Sequence, residues 1–290
     1  MPERPELEYV VSVLSRALPG CRVDRVDVLD PVVLRVAVPG DPRELLTGRH
    51  VTAVNRRAHF VILSFDGGPS LELAIHPMLA GRFTLCAPET RRTKDIALVL
   101  SLRPPDAEPR ELRYRDERQM GKVWVLRPDQ RAQVPGLADV GVDVLGPEFT
   151  RERFRALCKK RTDQAKNFLL DKGALDAMGN AYADEVLWAA RIHPKARVAW
   201  LDAAAVDRLH TAIREVLTEA RDEVARRAPA LDEKVRDFNR VRNRKGEPCP
   251  RCAAPIRVAG VNGHDAFFCA TCQPDEQGRG FVGWRTTGGA

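Results

Sequence analysis

Apolar residues at Leu7, Val10, Val11, Leu14 and Leu18 recur at helical spacing until Pro19-Gly20 interrupts them, so the pattern predicts one amphipathic helix from about Pro5 to Leu18. From Cys21 to about Arg127 the period changes to that of strands. The runs VDRVDVL, VVLRVAV, HVTAVNR, HFVILSF, SLELAIH, IALVLSL, ELRYRD and KVWVL are strand-like, and Asp66-Gly67-Gly68 reads as a hairpin turn between two of them. Such a series predicts a β-sandwich or a barrel. VPGLADVGVDVLGPE, punctuated by Pro and Gly, separates it from a helical stretch between about Thr150 and Ala228. There FTRERFRALCKK, TDQAKNFLLD, AYADEVLWAA and AAVDRLHTAIREVLTEA are the candidate helices. A short cysteine-bearing segment from about Asn243 to Gln273 and a Gly-rich tail follow. The expected organisation is α+β: a sandwich over 1–130, a linker over 131–147, a helical domain over 148–240, a cysteine module over 241–275 and a tail over 276–290.

Composition adds constraints. With 290 residues and 44% hydrophobic content the chain can bury a substantial core, and two modules are expected rather than one. Lys and Arg outnumber Asp and Glu by 47 to 40, a net charge of +7 that points softly to a polyanionic partner. No apolar run reaches the roughly 18 residues needed to span a bilayer, and the first residues lack the layout of a signal peptide, so a cytosolic protein with no membrane association is expected. Of the seven cysteines, Cys249, Cys252, Cys269 and Cys272 form two CxxC pairs, which fit a metal in a reducing compartment better than disulfides. Sixteen residues separate CPRC from CATC, inside the window for a four-cysteine zinc ribbon. Four thiolates close the tetrahedron and leave no place for a catalytic water, so one structural zinc is expected. A zinc ribbon serves protein binding as readily as DNA binding; RNRKG before it and Arg257 inside it form a basic collar suited to phosphates.

The chain opens MPERPELEY. Proline at position 2 permits removal of Met1, which would expose a secondary amine. An N-terminal amine titrates near about 7.7–8.0, far below lysine, and the positive end of a helix dipole disfavours its charged form further. Such an amine can attack an aldehyde-like sugar carbon and form an iminium ion, with Glu3 beside it to move a proton. The alternative is that Pro and Glu merely occupy the first turn of a helix, where both are favoured.

Read with the rest of the chain, MPERPELE resembles the MPELPEVE opening of the formamidopyrimidine-DNA glycosylase and endonuclease VIII family. HPMLAGR is similar to its His-Leu-Gly-Met-Thr-Gly stretch, RDERQMG to its Asp-x-Arg-x-Phe-Gly, and LGPE to the start of its second domain. AKNFLLDKGALDAMGNAYADEVLWAARIHP resembles its helix-two-turns-helix signature, and RKGEPCPRC with CATCQ its zinc ribbon. The resemblance covers nearly the whole chain. It implies an N-terminal catalytic β-sandwich with a leading helix, a helix-two-turns-helix domain and a C-terminal zinc finger, acting as a monomer on damaged double-stranded DNA near the nucleoid. It also implies a bifunctional glycosylase and abasic-site lyase. Pro2 would attack C1′, Glu3 would move protons around the ribose, and Glu6 would support the pocket and the elimination steps. The family's three void-filling residues fall on Leu79, Arg118 and Met120, where the stacking ring is lost but two apolar wedges remain. On the residues alone, Leu79 and Met120 could equally be sandwich core. Phosphate holding carries over to Lys166, Gly179 and Asn180.

Departures from the family matter as well. A family lysine falls on His59 and the arginine of its zinc hairpin on His264, so both contacts would be weaker and would gain charge only below about pH 6.5. The Gly-Ile-Gly-Asn turn reads Ala177-Met178-Gly179-Asn180. Only VRDFNRVRNRKG is expected between the helical region and the first zinc cysteine, too little for the long loop of members that excise 8-oxoguanine. Oxidised pyrimidines, ring-opened purines and bulkier adducts are expected ahead of it, in that order. Three other readings stay open: a damage-binding protein without chemistry, a sequence-specific regulator, and a lyase that removes no base.

Overall fold

The computed structural model describes residues 1–176 and 178–275; Ala177 and the Gly-rich tail from 276 to 290 lie outside the described residues. The chain divides into two compact units that interleave along the sequence. Unit one comprises Met1–Gly146, Lys172–Gly179 and Leu217–Phe238; unit two comprises Pro147–Asp171, Asn180–Val216 and the chain from Asn239 onward.

In unit one, helix α1 (Arg4–Ala17) starts in a capping box in which the Glu3 N–H donates to Glu6 Oε2 at 2.8 Å. Nine strands follow: β1 (Arg22–Val28), β2 (Leu34–Val36), β3 (Val51–Arg57), β4 (Phe60–Phe65), β5 (Leu71–His76), β6 (Arg82–Cys86), β7 (Ile96–Arg103), β8 (Arg110–Arg115) and β9 (Lys122–Leu126). They form an antiparallel sheet in the order β1-β7-β8-β6 and a second sheet in the order β2-β9-β5-β4-β3, antiparallel except where β2 meets β9. Val23, Leu100 and Leu112 of the first sheet and Val61, Leu63, Leu73 and Val123 of the second share one buried core with Leu7 and Leu14 of α1. The alternation that predicts the strands is thus the alternation that fills a sandwich, each fully buried aliphatic contributing about 1.5–3 kcal/mol.

Two strands depart from expectation. Strand β2 is shorter because Pro31 opens a 3₁₀ turn over Pro31–Val33, capped by the Asp30 carboxylate, which accepts from Val32 N at 3.0 Å. Strand β6 has no counterpart among the predicted runs: only Phe83 of RFTLC is buried, so it carries almost no period.

Unit one also holds the short helix α2 (Pro42–Leu46); unit two holds α3 (Arg151–Lys159), α4 (Ala165–Leu170), α5 (Asn180–Ala190) and the start of α6 (Ala203–Arg227), which runs on into unit one. Helix α5 is buried on nearly every side, which is why its sequence is apolar without a clean amphipathic stripe. Strands β10 (Ile256–Val261) and β11 (His264–Cys269) pair as a hairpin whose turn residues Asn262 and Gly263 both have positive φ, 45° and 81°. No helix among the described residues is long and apolar enough to cross a membrane.

Helix α6 ends at Arg227, so the connection to the zinc cysteines begins at Ala228, not at the VRDFNRVRNRKG run. Its first part belongs to unit one and lies along α1: Tyr9 Oη donates to the Pro229 carbonyl at 2.8 Å, and Asp232 pairs with Arg115 at 2.8 Å. We call residues 228–238 the strap.

Candidate active site and nucleic-acid contacts

The chain end in unit one gathers a cluster of charges. Glu3 is 3% exposed, and its Oε2 accepts from Gly179 N at 3.0 Å. A Cβ at Gly179 would stand 2.4 Å from Glu3 Cδ, so only glycine lets the backbone come this close. Arg236 of the strap donates to Glu6 through Nε (2.5 Å to Oε1) and Nη2 (2.9 Å to Oε2), to Glu3 Oε1 through Nη1 at 3.1 Å, and to the Met1 carbonyl at 3.2 Å. The terminal amine of Met1 is pulled down to about 6, first by burial and then by Lys234 and Arg236, with Arg82 adding to them and Glu3 opposing. Beside Pro2 and Glu6 lies an apolar recess whose walls include Tyr9, Phe83, Leu231 and Lys234. Arg236 and Lys234 were not singled out from the sequence. They lie in a stretch without periodicity, and a contact to a carboxylate 230 residues away leaves no local signal.

The loops before β6 and after β8 carry the three expected void-filling residues. Leu79 is 45% exposed and Met120 41% exposed, so neither is sandwich core. Leu79 and Arg118 line one open recess with Arg82 and Arg115, a consequence of the pairing of Arg82 with Arg115 at the adjoining strand ends. The Asp116 carboxylate holds its loop by accepting from Arg118 N and Gly121 N. Both loops are pinched: a Cβ at Gly81 would come within 2.4 Å, and one at Gly121 within 1.8 Å, of the Tyr114 hydroxyl.

His59 differs from expectation. It is 1% exposed, and its ring stacks on His76 with centroids 5.8 Å apart. Burial, aided by Lys172, His76 and Arg56, holds its proton affinity well below the ordinary value, so it stays neutral where a surface histidine would gain charge. Neither ring nitrogen meets a hydrogen-bond partner among the described residues. His76 is likewise lowered to about 4, mainly by burial, and its Nδ1 accepts from Met78 N at 3.0 Å.

In unit two, Lys166 is also not the solvated cation expected of a phosphate contact. It is fully buried, its ammonium donating to Asp184 Oδ1 at 2.5 Å and to the Asn180 carbonyl at 2.8 Å. Asn180 is the first residue of α5, and its Nδ2 donates to Asp265 Oδ1 at 2.6 Å. Arg242 reaches both Asp184 at 2.8 Å and Asp265 at 3.2 Å, its guanidinium 4.9 Å from the Phe267 ring centroid. His264, next to Asp265 at the start of β11, is exposed. The acids Asp184 and Asp265 were missed, being isolated carboxylates without motif spacing.

The four cysteines converge. Their sulfurs all lie within 4.8 Å of one another, with Cys249–Cys272 at 3.9 Å and Cys252–Cys269 at 3.4 Å. A tetrahedron of bonds of about 2.3 Å has edges of about 3.8 Å, so the set fits one zinc ion. Cys249 Sγ also accepts from the Trp188 indole at 3.4 Å, an outer-shell bond that ties the centre to α5. The ligands fill every tetrahedral position, so the zinc is structural.

Residues 1–123 match the family described as formamidopyrimidine-DNA glycosylase N-terminal domain, 140–227 its H2TH domain, and 246–274 the zinc finger found in FPG and IleRS. The formamidopyrimidine-DNA glycosylase of Pelotomaculum thermopropionicum is 32% identical over 281 residues, 94% of this chain and 99% of that protein. The Lactococcus lactis Fpg bound to abasic-site DNA is similar at a TM-score of 0.84 and 26% identity, covering 94% of this chain and 100% of that one. The same holds for its complex with DNA containing N7-benzyl-Fapy-dG, at 0.84 and 27%, with 94% and 100% covered.

Proposed function

The chain belongs to the formamidopyrimidine-DNA glycosylase family and is a base excision repair DNA glycosylase whose partner is damaged DNA, and we propose that it works through the Pro2 amine and also cleaves abasic sites. With Met1 removed, the Pro2 nitrogen attacks C1′ of the damaged nucleotide, and the base leaves with the electrons of the glycosidic bond and takes up a proton. The nitrogen then gives up its own proton. Protonation of the ring oxygen, with Glu3 as the donor, breaks the C1′–O4′ bond and leaves an iminium ion. Loss of a C2′ proton expels the 3′ phosphate; a second elimination expels the 5′ phosphate, and water then hydrolyses the iminium to free the amine. Glu6, fixed by the Glu3 N–H, lines the recess beside Pro2.

The single observation that carries this reading is the placing of the half-buried chain end against the buried Glu3 carboxylate, with Arg236 donating both to Glu3 and to the Met1 carbonyl; the Met1 amine there is lowered to about 6. An amine at that value is mostly neutral at pH 7; with Met1 removed, the Pro2 amine would stand in the recess that Glu6, Arg82 and Lys234 also line. Leu79, Arg118 and Met120 would fill the gap left by the extruded nucleotide. Asn180 at the start of α5, with Gly179 before it and His264 in the hairpin, would meet phosphates, while Lys166 would hold that helix start from inside. His59, neutral, would serve as a donor and not as a cation. The strap walls the recess and is fastened to unit one at Pro229, Asp232 and Arg236. As substrates we rank oxidised pyrimidines first, ring-opened purines next and bulkier adducts third, with 8-oxoguanine behind them.

The test is borohydride trapping on an abasic-site duplex, beside a version with an extended N-terminus. An adduct mapped by mass to Pro2 and lost on extension is expected; an adduct at a lysine, or none from the zinc-loaded protein, overturns the reading.

A further inference from the structure

The group that binds the chain-end cluster together is not in any motif. Glu3 and Glu6 are adjacent in a capping box, and two carboxylates that close repel unless a cation lies between them. Arg236 is that cation. Its planar fork takes both oxygens of Glu6 and one of Glu3, while the second Glu3 oxygen is claimed by Gly179. Every carboxylate oxygen of the pair therefore has a directed donor, and three of the four oxygens are met by one side chain. That side chain is 12% exposed, so solvent screens these bonds little.

We propose that Arg236 is a positioning residue for the reaction: it aims Glu3 at the reacting sugar, holds Glu6 against the recess, and ties both to the strap. The inference rests on the reading of Pro2 and Glu3 given above. Its physical basis is that proton transfer and attack tolerate little misplacement, about 1 Å costing about 10²-fold. Lysine cannot take this place, since one ammonium point charge does not span two carboxylates at fixed angles. The same guanidinium stands among the charged and titratable groups around the terminal amine. Those are Glu3 and Glu6 of the α1 start, Arg82 of β6, His59 before β4, and Lys234 with Arg236 of the strap. Removing one positive charge from that set makes protonation of the amine easier and raises the pH at which it becomes a nucleophile.

The experiment compares the zinc-loaded wild type with R236M and R236K in two assays. The first is single-turnover trapping on an abasic duplex, with duplex affinity measured alongside. The second uses no DNA: acylation of the chain-end amine by a succinimidyl ester, followed by mass from pH 5 to 9. Methionine at 236 is expected to slow trapping about 10²-fold with affinity within about threefold, and to move the acylation midpoint upward. R236K should restore the midpoint, because the charge returns, and leave trapping slow, because the fork does not. Full trapping by R236K, or a loss confined to duplex affinity, overturns the proposal. If the wild type forms no adduct, the parent reading falls, while an unmoved midpoint in R236M would overturn Arg236's hold on the chain end separately. Should R236M not fold, R236K alone decides between a point charge and a directed fork.

Discussion

The charges at the chain end and those around the α5 start are arranged in opposite ways. At the terminal amine, burial first and then the excess of Lys234, Arg236 and Arg82 over Glu3 drive the amine toward neutrality. At the α5 start, Lys166 and Arg242 are matched by Asp184 and Asp265. An excess of cations tunes a reagent; a balanced set builds a frame. The basic character of the whole chain does not distinguish the two, and local arrangement does.

The comparison breaks most completely if the zinc is withdrawn. Structural zinc in small modules is worth about 10–16 kcal/mol of folding free energy, so chelation should abolish duplex binding in a gel-shift assay while the acylation midpoint of the chain end stays near its zinc-loaded value. Next comes Glu3→Gln, which keeps the shape and removes the proton carrier. Base release from an oxidised-pyrimidine duplex should fall by about 10²–10⁴-fold, with affinity nearly unchanged; equal rates would remove Glu3 from the chemistry. Lys166→Met removes the wholly buried one of the two cations that pair with Asp184, a carboxylate whose own proton affinity burial already raises, and leaves only Arg242. A thermal melt should report about 3–5 kcal/mol of lost stability, and a surface-like loss below about 1 kcal/mol would contradict the reading that Lys166 holds the α5 start from inside.

Gly179→Ala acts on the other cluster. Its Cβ would sit 2.4 Å from Glu3 Cδ and displace a side chain that Arg236 holds. About 1–3 kcal/mol of destabilisation is expected by denaturant melt, with a trapping rate that falls further than stability alone explains. The smallest expected effect sharpens the contrast. Asp265 occupies the Asn180 amide and the Arg242 guanidinium, groups suited to a phosphate. Asp265→Asn should tighten duplex binding about three- to tenfold and steepen its salt dependence, and weaker binding would count against a phosphate at that place.

How much of this was readable in advance follows from the range over which each signal acts. Helix α1, eight of the nine sandwich strands and the zinc cysteines are local patterns, and each is present where period or spacing put it, β2 in shortened form. The ninth strand, β6, is half polar and carries one buried residue, so period could not reveal it. Burial decides the rest. The sequence letter of His59 or Lys166 says nothing of whether water reaches it, and both turn out enclosed. Arg236 is further still from legibility, since the strap's position depends on α6 ending at Arg227 and on bonds to Tyr9 and Arg115.

The hydroxyl of Tyr114, wedged against Gly81 and Gly121, separates two kinds of freedom in the loops it pinches. At the pinch, any side chain larger than hydrogen collides. At the tips, Leu79 and Met120 stand in solvent, where exchange costs the fold almost nothing. Heritable variation can therefore accumulate at the tips while the frame beneath them is held constant, so descendants of one ancestor can diverge in how they probe a duplex without re-evolving the scaffold that does the probing.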